Sequence, residues 1–370
     1  MSRHAYWIAS LLFAAMVLAK FSPQTGFTSL IRFGATWQDR RHSALQNLPV
    51  ATAPASNGYD GQFYAQIALD PLLRSTELKQ VLDAPAYRAR RILVPATAAV
   101  LGVGHPWWTL QAYALLNIGC WFVLAWLLRR SFGEGCDWIA FARWGGCMFS
   151  MGALESVRLS VVDLPALLLL VLAIHAHRQS RGAKSILWLA LAGLSKETSL
   201  LGAVGLQAEK PFDGRRVLIS LSLATTPLII WSAYVSIRLD DPAAANGMGN
   251  FSWPLLGLLT QIKYSLREMY YGNFDGRYSF GLLAILGFLV QMAVLWRTSR
   301  PESPWWRIGL AYSFLFLFLG FWVWSGYWAV CRVVLPMTIA FNLLLPANSR
   351  FWPLWGIGNV TLLHAVWRFL

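Results

Sequence analysis

The 370-residue chain is 56% apolar and only 13% charged, with a mean hydropathy of +0.47, which excludes an ordinary soluble domain. Its net charge of +14 would suggest nucleic acid as partner in a soluble protein. Here the basic residues gather at the ends of apolar blocks, where they hold loops in the cytoplasm and meet anionic lipid, and no nucleic-acid role is expected. The expected fold is all-α, one polytopic transmembrane helical bundle of about eleven spans over residues 1–370.

The first apolar block, Tyr6 to Ala19 behind Arg3 and His4, reads as an uncleaved signal anchor; a signal peptide ending at Val17-Leu18-Ala19 is the other reading. Both put residues 21–105 outside, as a long first extracytoplasmic loop with interfacial and juxtamembrane helices. Within it, Asn57-Gly58-Tyr59-Asp60-Gly61-Gln62-Phe63-Tyr64 is a tight turn leading into a helix that Asp70-Pro71 stops. Two readings of Asp60 stand here. It either caps that helix or presents a carboxylate to a substrate, with glycines on both sides leaving room. Arg88, Arg90 and Arg91 likewise read either as headgroup anchors or as a phosphate site, because guanidinium pairs with phosphate in bidentate fashion. The apolar stretch 91–104 is short for a crossing and is expected to be re-entrant or interfacial.

Helices are then expected over 106–128, 138–154 and 160–177, with the breaks at Arg129-Arg130 and at His177 to Lys184 inside. Residues 185–194 and 199–208 are too short to cross individually and read as a hairpin hinged at Ser195-Lys196-Glu197-Thr198. Lys210 to Arg216 forms the next inside break. Spans over 217–237, 278–296, 307–325, 328–346 and 351–368 place Arg297, Arg300, Arg307 and Arg350 inside. The second outer segment, 238–276, contains an amphipathic stretch from Ser252 to Tyr270 that reads as a helix on the membrane surface. Its Leu255, Leu256, Leu259, Ile262, Leu266 and Met269 oppose Gln261, Lys263, Arg267 and Glu268.

Charge inside a bilayer is costly and is usually paired or functional. On this topology Glu155, Arg158, Asp163, Lys196, Glu197 and Arg332 all point to the side of Asp60, towards an outward polar cavity. Cys120, Cys136, Cys147 and Cys331 show no CxxC spacing, and His175 and His177 splay on a helix, so no metal site is indicated.

These residues resemble motifs of the GT-C superfamily of integral membrane glycosyltransferases, which take sugars from polyprenyl-phosphate carriers, and especially its mannosyltransferase-like members. The likeness lies in Tyr59-Asp60-Gly61-Gln62-Phe63-Tyr64, Tyr87-Arg88-Ala89-Arg90-Arg91-Ile92-Leu93-Val94-Pro95, Val162-Asp163-Leu164-Pro165, Leu194-Ser195-Lys196-Glu197-Thr198 and Arg332-Val333-Val334-Leu335-Pro336. Many members pair two acidic residues in the first loop where this chain has a lone Asp before Gly, and no cofactor is indicated. With no soluble C-terminal domain, an oligosaccharyltransferase-like role is not expected.

The resemblance implies transfer of a sugar, with inversion, from a polyprenyl-phosphate carrier to a glycan or lipid acceptor of the cell envelope. Asp60 would be the catalytic base, and Tyr59, Gln62, Tyr64, Arg88, Arg90, Arg91, Asp163, Lys196, Glu197 and Arg332 would bind substrate. The expected location is a bacterial inner membrane, with the site facing the periplasm. A transporter or flippase of polar lipids is the alternative, although it needs no long outer loop.

Overall fold

The computed structural model describes residues 4–132, 137–207, 213–240 and 245–370; Arg3, Cys136 and Lys210 lie outside them. The protein is mostly helical. Its only strands among these residues are Phe33–Gly34 and Thr52–Ala53, which pair in parallel with Phe33 opposite Thr52.

Three helices, Pro106–Ser131, Gly214–Leu239 and Gly276–Arg297, are each long and apolar enough to cross a membrane alone. Tyr327–Val333 and Leu335–Leu344 make a fourth if their 63° bend lies within one span. Proline causes that bend: Pro336 brings no N–H, and its ring would clash with the carbonyl four residues back, at Arg332.

Other segments expected to be continuous are also broken. Residues 138–154 become Trp138–Met148 and Met151–Arg158, because the Ser150 side chain caps the second helix by accepting from Ala153 N. Residues 307–325 become Pro304–Leu317 and Phe321–Trp324, and residues 351–368 become Phe351–Gly358 and Leu362–Phe369. The expected hairpin is present as Gly182–Ser195 followed by the tighter 3-10 helix Glu197–Gly205, with Lys196 extended between them. Residues 93–101 form a helix of nine residues, about 13 Å long and far short of a bilayer core.

The main core lies among the long helices, where Trp121, Trp144, Phe316, Trp324 and Leu335 are fully buried. A second core belongs to the 21–105 region. There Ile31, Phe33, Phe63, Tyr64, Ile67 and Leu78 pack with Tyr113, Val162 and Val235 from the helices beneath. That seating fixes the position of residue 60.

The amphipathic stretch is a helix, Leu256–Tyr270, but one polar residue is on the opposite face from that expected. Gln261 and Ser265 are buried and bond to each other at 3.0 Å, while Leu255, Leu256, Leu259 and Leu266 face outward. Gly257 explains the inversion, since a Cβ there would lie 2.1 Å from the Leu319 carbonyl oxygen. The small, polar stripe is the one that can approach the chain closely.

Candidate functional site

The turn at residues 57–59 is built around Gly58, whose φ of +72° favours glycine. Gln62 ties it down: its Oε1 accepts from Gly34 N at 3.0 Å and its Nε2 donates to Asn57 O at 2.8 Å. Gly61 lets the following helix, Asp60–Ile67, rest on the chain at Leu159, where a Cβ would meet the carbonyl oxygen at 2.2 Å. Tyr59 occupies the cap position of this helix. Asp60 is its first helical residue, and no side chain makes a capping bond. Its carboxylate turns instead to Arg88, with Oδ1 accepting from Nη2 at 2.8 Å. The helix-cap reading of Asp60 is therefore replaced by an ion pair.

Pro85 opens the short helix Pro85–Ala89 that carries Arg88. The arginines do not point out to headgroups: Arg88 and Arg91 are buried and Arg90 half-buried. Arg88 also grips Asp83 with two bonds, of 2.9 and 2.8 Å. Arg91 binds both oxygens of Glu197, at 2.9 and 2.6 Å, and donates to the hydroxyls of Tyr64 and Tyr87, each at 2.8 Å. Arg90 adds a 2.7 Å bond to Glu197.

Asp163 is the first residue of Asp163–Arg178, where the positive end of the helix dipole favours a carboxylate. One of its oxygens accepts from Lys196 and the other from Arg332, at 2.9 Å in the second case. Arg332 reaches on to the Tyr59 hydroxyl at 2.5 Å. Asp163 and Glu197 thus have both oxygens engaged, while Arg88 holds Asp60 by one. Arg90 and Arg332 each keep a buried Nε without a partner among the described residues.

The charged groups, with Tyr59, Tyr64 and Tyr87, line one cavity of about 360 Å³, within the usual range for a ligand site. Five cations (Arg88, Arg90, Arg91, Lys196 and Arg332) face four carboxylates (Asp60, Asp83, Asp163 and Glu197) across it. Leu315, Leu319, Trp322, Val323 and Phe251 supply an apolar flank.

Electrostatics sets the state of the loop groups. Burial would raise the Asp60 carboxyl, but Arg88 and Arg332 outweigh it and hold it below the usual carboxylate range, so it is ionised at neutral pH. Burial pushes the Tyr59 hydroxyl up to about 12, against the opposing pull of Arg332, so Tyr59 keeps its proton.

Of the expected site residues, Tyr59, Asp60, Tyr64, Arg88, Arg90, Arg91, Asp163, Lys196, Glu197 and Arg332 converge here. Gln62 is buried behind the turn and does not line the cavity. Glu155 and Arg158, expected to join the same cavity, form a separate cluster in which Arg158 and Arg368 both bind Glu155. Sequence reasoning gave no site role to Asp83, Trp322 or Tyr87, although Tyr87 stands in one of the motifs. Asp83 and Tyr87 stand in the same segment as the arginines, and a carboxylate five residues before Arg88 was the available signal.

Comparison of the chain with protein-family models, curated proteins and solved structures finds no match.

Proposed function

We propose that this chain is a multi-pass membrane glycosyltransferase. It would move a sugar from a polyprenyl-phosphate carrier to a glycan or lipid acceptor at the outer face of a bacterial inner membrane. The observation that carries the reading is the Asp60 carboxyl group, engaged by Arg88 through one oxygen, in the lining of a cavity that five cations share. The basic residues at every break read as inside support the sidedness, and the motif resemblance supports the reaction class.

In the proposed step, the acceptor hydroxyl oxygen attacks the anomeric carbon from the face opposite the phosphate. The new carbon–oxygen bond takes the acceptor's electron pair, and the proton passes to Asp60 Oδ2. The bond to phosphate breaks with its electrons leaving on the phosphate, which inverts the configuration. The departing phosphate gains negative charge in a cavity lined by the guanidinium groups of Arg90 and Arg332, and preorganised positive charge of this kind is where a protein contributes most to rate. Asp163 is saturated by Lys196 and Arg332, so its part is to position those cations. Glu197 does the same for Arg90 and Arg91. The apolar flank at Leu319 and Trp322 suits the first isoprene units of the carrier.

The test is to incubate the detergent-purified protein with a panel of polyprenyl-phosphate sugars and acceptor extracts and to follow release of the carrier phosphate. Release with at least one sugar is expected. Carrier lipid translocated across liposomes intact, with no sugar lost, would replace the enzyme by a flippase.

A further inference from the structure

At the ends of Pro106–Ser131 and Asp163–Arg178 remote from the cavity lies a second hollow, of about 260 Å³. Asp163 stands at one end of its helix, in the proposed active site, and Arg178 at the other, so about 22 Å of helix separates the two places. Arg130, Ser131, His175 and Arg178 rim this hollow, and Trp126 and Trp305 are part of its apolar wall.

The charge balance differs from that of the first cavity. Among the described residues no carboxylate lines this hollow. Among the described residues neither Arg130 nor Arg178 has an ion-pair partner. Arg130 is nonetheless held in place, with its guanidinium 3.9 Å from the centre of the Trp126 ring. Basic residues at two helix C-termini complement the helix dipoles, which accounts for their presence but not for their facing one shared hollow. Two guanidinium groups with no ion-pair partner among the described residues, above an apolar wall, match a phosphate joined to an apolar body. A free phosphate would use the cations and leave the wall without a role.

We propose that this hollow binds the headgroup of an anionic phospholipid. Arg130 and Arg178 hold the phosphate, and the acyl chains leave past Trp126, half of whose surface is exposed. Basic pockets between membrane helices recognise phosphate headgroups by this chemistry. The proposal rests on the chain being a membrane protein and is independent of glycosyl transfer.

The test is native mass spectrometry of the full-length protein in detergent, titrated with phosphatidylglycerol, phosphatidylcholine or inorganic phosphate. Phosphatidylglycerol is expected to give a discrete adduct at least about tenfold more readily than phosphatidylcholine. The double variant R130Q/R178Q should lose that preference, while R215Q/R216Q, which removes two exposed arginines elsewhere, should keep it. Both pairs lie on the surface, and carrier-release activity or the melting temperature verifies the fold of each variant. Equal binding of the two lipids by the wild-type protein overturns the proposal. So does a preference that survives R130Q/R178Q, or inorganic phosphate competing away the lipid at millimolar concentration.

Discussion

In the proposed reaction, Asp60 and Arg88 are the residues on which the chemistry turns. Because the Asp60 carboxyl is held below its ordinary value near 3.9 by Arg88 and Arg332 against the effect of burial, it is already ionised at pH 5. The profile of transfer rate against pH should therefore be flat from about pH 5 to 8 and fall only below about 4. A limb near pH 6 would show that another group is the base. Replacing Arg88 by Gln removes the charge that depresses Asp60, so the acid limb should move upward. The same change leaves Asp60 and Asp83 without their shared cation. Each is 32% exposed at its side chain, so water compensates in part, and the expected loss of stability is about 1–3 kcal/mol rather than the larger cost of a fully buried pair. Thermal denaturation of R88Q checks the figure; an unchanged melting temperature would mean that the pair contributes nothing.

At the scale of elements, the site depends on close approaches that few side chains would permit. Gly61→Ala would push a methyl group into the Leu159 carbonyl, shifting the helix that presents Asp60 at a cost of about 1–3 kcal/mol. Activity should fall with it even though no charged group has changed. If G61A retains full activity and stability, the seating of this helix does not position the base. The same elements show how far the sequence could be read. The hairpin hinge at Lys196 was legible because two apolar halves flank a charged tetrapeptide, and the tight turn at Gly58 because of its glycine pattern. The breaks at Ser150 and Gly320 were not legible, since a small residue inside an apolar run reads equally well as continuous helix. The inward turn of Arg88 and Arg91 was also hidden. A row of arginines before an apolar segment is the signature of headgroup anchors too, and only the partners Asp83 and Glu197, one of them a hundred residues away, distinguish the cases.

For the whole molecule, the decisive arrangement is a set of charges from distant segments collected at one end of a greasy bundle. Each element alone is weakly informative; their convergence on one cavity required the fold. The proposed sidedness makes its own prediction. Cysteines substituted at the exposed positions Asp39 and Arg181 should behave oppositely in intact cells. A membrane-impermeant maleimide should label D39C directly and R181C only after permeabilisation, and the reverse pattern would invert the topology.

If Asp60 takes the acceptor's proton, carrier-release assays of D60N beside the wild-type protein will show it. With melting temperature and detergent elution profile matched, D60N should release carrier at least about a hundredfold more slowly, the loss associated with removing a positioned general base. Release by folded D60N at the wild-type rate would mean that Asp60 is not the base.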